Sequence, residues 1–196
     1  MNDRQTVPEP MSENDVVDLL VRQHATIRDL FDEVEEASAG TQRSEAFQRL
    51  VRMLAVHETA EEEVVHPYAR ITIEDGNEVV DERLAEEKEA KQLLVDLEKL
   101  GTGHPEFSEH LQVLRAAVLA HARAEERYEF ARLRARTSVA ERRAMAAGVR
   151  AAEALAPTHP HPGTESVVMN LLFGPPLAIV DRTRDAIRQA MRGQGG

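Results

Sequence analysis

His57-Glu-Thr-Ala-Glu61 and His121-Ala-Arg-Ala-Glu125 carry one spacing, H-x-x-x-E, twice, 64 positions apart. On an α-helix, residues i and i+4 stand one above the other on the same face. Each copy therefore presents an imidazole and a carboxylate to one point. Each copy also lies in line with apolar residues at helical spacing: Phe47, Leu50 and Leu54 before the first and Val65 after it, and Phe107, Leu111, Leu114 and Val118 before the second. A chain with such pairs on apolar faces must fold so that the faces meet. Two helices meeting there can hold a pair of metal ions between them.

Two more stripes complete the set. Val17, Leu20, His24, Ile27, Phe31 and Val34 line one face of a first helix, and Val80, Leu84, Glu87, Leu94 and Leu97 line one face of a third. Ser12-Glu-Asn-Asp15 reads as the N-cap box of the first helix, with Asp in place of Glu, and Gly40 is placed to end it. The second helix runs from about residue 44 to 68, where Pro67 is expected to kink or stop it. Asp75-Gly76 is a turn signal, and Gly101-Thr-Gly-His-Pro105 a loop into the fourth helix. Four segments of similar length with short connections predict an all-α fold, an up-down-up-down four-helix bundle. With 30% charged and only 4% aromatic residues, the composition favours helices over sheets.

The bundle is expected over residues 12–136, after a loose tail at 1–11. Residues 137–196 form a helical C-terminal extension. Ser138-Val-Ala-Glu141 is a capping box for a fifth helix ending near Leu155, and Pro157 to Gly163 reads as an extended linker. An amphipathic helix from Ala178 to about Met191 follows, and its apolar face needs cover from the bundle or a second subunit.

Each core stripe is interrupted by groups that do not belong in an apolar core: His24, His57 with Glu61, Glu87, and His121 with Glu125. An ionised carboxylate facing a core costs roughly several kcal/mol unless it is paired or bound to metal. Six such residues at matching positions on four helices call for a cation. The bland alternatives are i,i+4 hydrogen bonds within each motif, a satisfied core histidine at 24, and an exposed acidic run around Glu86, Glu87 and Glu89 in which Glu86 competes with Glu87 for the inward position. Glu62, Glu63 and Glu126 turn away from the stripes and serve as solvent charges or as supports for the ligands. His104 and His110 fall in a loop and off the stripe, and His159 and His161 in the extended linker.

The residues His24, Ile27 and Phe31, the run His57-Glu-Thr-Ala-Glu61-Glu-Glu-Val-Val-His66-Pro67, and His121-Ala-Arg-Ala-Glu125-Glu126 resemble the hemerythrin-like, HHE cation-binding family over residues 13–136, in its actinobacterial type. The resemblance implies a bundle with an oxygen-reactive centre of two non-haem iron ions bridged by Glu61 and Glu125. It also implies a tyrosine or histidine ligand at the position of His66, five residues after Glu61; the same offset after Glu125 is Phe130, which cannot ligate. The chain departs from the pattern in its third helix, which supplies histidine in hemerythrins and has none here; Glu87 stands in that place. The expected ligand set is His24, His57, Glu61, His66, Glu87, His121 and Glu125.

Imidazole and carboxylate donors suit iron, manganese or zinc. A carboxylate in place of an imidazole favours the ferric state, and so favours reaction with dioxygen, peroxide or nitric oxide over reversible oxygen carriage. Whether the centre is catalytic or sensing stays open, and no separate nucleophile or base is present. Two other readings stay open as well: a structural bundle holding one metal or zinc, and a metal-free interaction module. A ferritin-like oxidase needs two E-x-x-H motifs, and only Glu63-Val-Val-His66 fits. A net charge of −11 argues against sequence-independent nucleic-acid binding and against docking on anionic membranes. The polar N-terminus has no signal or membrane segment, and the absence of cysteine fits a reducing cytoplasm. Small molecules are the expected partners, with the chain a monomer or homodimer.

Overall fold

The structure, a computed structural model, describes residue 12 and residues 14–155. Helix α1 (Val16–Glu36) is followed by α2 (Thr41–Ala60), which passes through a π turn (Glu61–Val65) into α3 (His66–Thr72). Helix α4 (Gly76–Leu100) and α5 (Phe107–Ala124) come next; α5 passes through a second π turn (Glu125–Phe130) into α6 (Ala131–Arg136), and α7 (Val139–Leu155) follows. No strand occurs among the described residues.

The apolar stripes do not merge into one core. One buried cluster holds Val16, Leu20, Val64, Val80, Phe130 and Met145, and another holds Ile27, Phe31, Leu54, Leu94, Leu114 and Val118. Along α1 the chain passes from the first cluster to the second, and along α2 it returns. It crosses again along α4 and returns through α5 to Phe130 in the second π turn and Leu133 in α6. This alternation is the up-down-up-down bundle. The polar interruptions of all four stripes fall at the crossing level, so His24, His57, Glu61, Glu87, His121 and Glu125 form one buried layer between two apolar ones.

Helix α7 packs on α1, α2 and the first π turn and closes the first cluster through Met145, Ala146 and Val149. Its capping box forms as expected: the Ser138 backbone N–H donates to Glu141 Oε2 at 2.7 Å, and the Glu141 N–H donates to Ser138 Oγ. The other carboxylate oxygen of Glu141 accepts from the Tyr68 hydroxyl at 2.5 Å, tying α7 to α3. Burial works to raise the Glu141 carboxyl, but the Tyr68 and Ser138 donors outweigh it and hold it below its ordinary value of 4.5. A depressed carboxyl stabilises the fold above its unfolded pKa, and this is lost as pH falls through the folded one. Thermal melts are therefore expected to show wild type above Glu141→Gln at pH 7, with the difference shrinking below about pH 4.

Local details differ from the sequence reading. The cap of α1 is Asp15, whose carboxylate accepts from the Val17 N–H at 3.0 Å; the Ser12 N–H instead reaches Asp18 Oδ2 at 2.7 Å. Helix α1 stops at Glu36, and Gly40, at φ 112°, opens α2. Pro67 neither stops nor breaks the second rod, which runs on to Thr72. Proline lacks an N–H and crowds the preceding turn. The widened turn ahead of it, in which the His66 N–H reaches the Glu61 carbonyl, makes Pro67 an opening residue of α3, where no N–H is needed.

Asp75 takes the left-handed conformation and Gly76 begins α4 against the end of α3. A Cβ on Gly76 would sit 2.5 Å from the Ala69 carbonyl oxygen and 2.8 Å from that of Arg70, both backbone atoms that cannot swing aside. Gly76→Ala is expected to destabilise the protein by about 1–3 kcal/mol, measurable by urea unfolding. The N-terminal tail, the 157–163 linker with His159 and His161, and the helix expected from Ala178 lie outside the described residues.

Candidate metal centre

Both H-x-x-x-E motifs end a helix where a π turn begins, so the two rods present the same local structure. Within each motif the histidine Nε2 lies 3.4 Å from the carboxylate four residues on: His57 to Glu61 Oε2, and His121 to Glu125 Oε1. His24 brings its Nε2 to 3.2 Å from Glu125 Oε2, without the alignment of a hydrogen bond. The three histidines share one orientation. Nδ1 of His24 meets Glu126 Oε1 at 2.8 Å, that of His57 meets Gln23 Oε1 at 2.7 Å, and that of His121 meets Glu86 Oε2 at 3.0 Å. Nδ1 is thus the proton-bearing, outward nitrogen, and Nε2 faces the centre. Metal-binding histidines are commonly fixed this way.

Glu61 and Glu125 are fully buried, and neither oxygen of either carboxylate accepts a hydrogen bond. Around them lie two overlapping groups. Ligand atoms of His24, His57, Glu61 and Glu125 fall within 4.8 Å of one another, and so do those of Glu61, Glu87, His121 and Glu125. The two carboxylates are common to both groups. Buried polar atoms are otherwise satisfied in native proteins, and four unpartnered carboxylate oxygens facing three imidazole nitrogens fit a pair of cations. Glu87, not Glu86, is the inward residue of α4: Glu87 is 1% exposed, while Glu86 lies outside, holding His121 and accepting from Arg83 Nη2 at 2.9 Å. Glu126 likewise supports His24 from outside.

Burial drives both central carboxyls upward. At Glu61 the adjacent Glu125 adds to it, and the group stays well above its ordinary value; at Glu125 the imidazoles of His121 and His24 overcome burial and hold it low. Burial also pulls His57 down, with His24 beside it, to about 3. At His121 the Glu125 carboxylate outweighs burial and raises it to about 9. The cation-free layer is thus a set of closely packed acids and bases whose affinities for protons are displaced in both directions.

His66 is buried but belongs to neither four-residue group. Its Nε2 meets Glu87 Oε1 at 2.7 Å and its Nδ1 meets Glu129 Oε1 at 3.0 Å. Glu129 was not anticipated from the sequence, although 121, 125 and 129 continue one i+4 series. In a π turn, whose bonds run from i to i+5, residues four and five apart both stay near one face. This brings His66 inward after Glu61, and both Glu129 and Phe130 after Glu125. Phe130 stacks on His24 with ring centres 5.7 Å apart. Glu58 was also missed: it is 6% exposed, 3.5 Å from Lys91 Nζ, and burial pushes it up to about 8. Lys91 also pairs with Glu62 and reaches Glu87 Oε2 at 3.5 Å.

On the side away from His66, a cavity of about 10 Å³ adjoins the layer, lined by His24, His57, Glu58, His121, Leu54 and Val118 among others. It has space for one water-sized molecule. The walls between the polar groups are apolar.

Fold and site together define a helical bundle with a buried layer of histidines and carboxylates that could hold metal ions. The family model for the hemerythrin HHE cation binding domain matches residues 15–133, more than half of the chain, and the chain belongs to that family. A hemerythrin HHE cation binding domain-containing protein from Mycobacterium kansasii has the same fold, with a TM-score of 0.64 over 86% of this chain and 98% of that one at 19% identity. A protein of Nostoc sp. named a DNA nickase is 29% identical over 119 residues, covering 61% of this chain and 33% of its own length. The chain therefore spans about a third of that relative. No helix among the described residues is long and apolar enough to cross a membrane.

Proposed function

We propose that the bundle of residues 12–136 holds two iron ions bridged by Glu61 and Glu125, and that it binds or reacts with dioxygen, peroxide or nitric oxide. One observation carries the reading: the two central carboxylates are fully buried, accept no hydrogen bond, and are shared by two groups of nitrogen and oxygen donors. His24 and His57 would complete one ion's ligands, and Glu87 and His121 the other's. Bound iron supplies one-electron redox chemistry and an affinity for small diatomic or peroxidic ligands.

The chain's own residues set the conditions. Gln23, Glu86 and Glu126 orient the imidazoles, and Leu54 and Val118 keep the adjoining cavity apolar, sized for a very small molecule. Glu87 brings negative charge where an imidazole would bring none, which favours the higher oxidation state and reaction with oxidants over reversible carriage. We place the chain in the cytoplasm and treat residues 137–196 as an extension of the bundle.

The test is metal content of protein purified without added metal, with an absorption spectrum of the same sample. About two irons per chain with near-ultraviolet charge-transfer bands support the reading. A second reading, a single structural metal or zinc, is favoured by Glu87, which is already engaged by His66 and Lys91. One ion, or zinc without such bands, would give that reading the lead.

A further inference from the structure

The fourth inward histidine is turned the other way round. His24, His57 and His121 hold an outer acceptor with Nδ1 and face the centre with Nε2. His66 holds Glu87 with Nε2, at 2.7 Å, and presents Nδ1 to Glu129. A carboxylate gripping one ring nitrogen while the other faces further donors is the arrangement that fixes a metal-binding imidazole. The donors are there: ligand atoms of His66, Glu125 and Glu129 lie within 4.8 Å of one another, all three residues buried. Glu129 is 0% exposed, and its Oε2 has no hydrogen-bond partner. His66 Nδ1 and Glu129 Oε1, 3.0 Å apart, have about the separation of two ligands at right angles, each roughly 2.1 Å from a common ion.

We infer that His66, Glu129 and Glu125 form a third cation site, for a divalent first-row metal, adjoining the bridged pair through the shared carboxylate of Glu125. One nitrogen and two carboxylates suit zinc, ferrous iron or manganese rather than soft ions. Glu125 and Glu129, at i and i+4, share a face, and the first π turn brings His66, five residues after Glu61, towards it at the start of α3. The inference extends the two-ion centre proposed above and rests on its geometry, but not on those ions being iron.

Native mass spectrometry of the full chain, stripped of metal and then saturated with Zn²⁺ alone, tests the site. Wild type is expected to carry three ions, and Glu129→Gln, which keeps an oxygen acceptor for His66, two. His66→Gln is expected to match it, and helical circular dichroism reports that each variant is folded. The His159→Ala/His161→Ala variant is expected to keep three. Wild type stopping at two with Glu129→Gln unchanged overturns the site, as does a third ion that survives both Glu129→Gln and His66→Gln or is lost from the linker variant. Fewer than two ions in wild type with one lost on Glu129→Gln keeps this site and overturns the bridged pair; fewer than two with none lost overturns both.

Discussion

Glu61→Ala and Glu125→Ala will each leave the bridged pair without either ion, whereas His57→Ala and Glu87→Ala will each remove one. The asymmetry follows from the two overlapping donor groups. His57 belongs to one, Glu87 to the other, and the two carboxylates to both. Losing a bridge removes one of four donors from each ion at once and leaves the two remaining sets facing each other without the anion between them. Losing a terminal ligand leaves the neighbouring ion its full set. Metal analysis of the four variants, each reconstituted under the same conditions with ferrous iron, reads the pattern. Equal losses in all four would show that the ions do not share Glu61 and Glu125, and loss of one ion from Glu61→Ala would assign that carboxylate to a single site.

How much of this was legible beforehand depends on which local geometry each residue follows. The α-helical period places Leu20, His24, Ile27 and Phe31 on one face, and all are buried. The same period picks out His57, Glu61, His121 and Glu125, because each pair stands at i and i+4 up to the point where the helix widens. It fails just past them. Both rods widen into π turns at the glutamate, and nothing in an α-helical projection brings the residue five further on, His66 after Glu61 or Phe130 after Glu125, to the same side. His66 was found through the family resemblance; Glu129 and Glu58 were not found. Glu58 follows a ligand directly and would face away from an ideal stripe, yet Lys91 from α4 meets it in the interior. Along α4 itself, Lys91 stands four residues after Glu87 and Arg83 three before Glu86, so both carboxylates have cationic partners on their own helix. The Glu58–Lys91 pairing runs between helices and leaves no trace in the spacing of either one. The Pro67 expectation failed because the π turn ahead of the proline absorbs the missing N–H.

The sign of a mutation at Glu61 will depend on metal. In metal-stripped protein at pH 7, Glu61→Gln is expected to stabilise the fold by about 1–3 kcal/mol; in loaded protein the same substitution is expected to destabilise it by several kcal/mol. Without cations, burial and the neighbouring Glu125 hold the Glu61 carboxyl well above its ordinary value of 4.5. A raised carboxyl opposes folding at every pH above its unfolded pKa, since the unfolded chain ionises more readily. An amide of the same shape removes that opposition. With metal, ligands that bind the folded state alone add about 4 kcal/mol per site at a thousandfold excess over Kd, and in the proposed pair Glu61 would serve both ions. The pH dependence sharpens the contrast. His121, raised to about 9, and His66, raised to about 10 by Glu129 and Glu87 against the pull of burial, stabilise the cation-free fold fully below about 6.5. That support fades as pH rises through 9 and 10, so the stripped protein should melt progressively lower from pH 7 to pH 10. Metal needs the deprotonated ligands, so loading gains from the same rise in pH. Melting curves of wild type and Glu61→Gln, stripped and loaded, at pH 7 and pH 9 measure all of this together. A substitution that destabilises the stripped protein would mean that Glu61 is held by hydrogen bonds rather than kept for a cation.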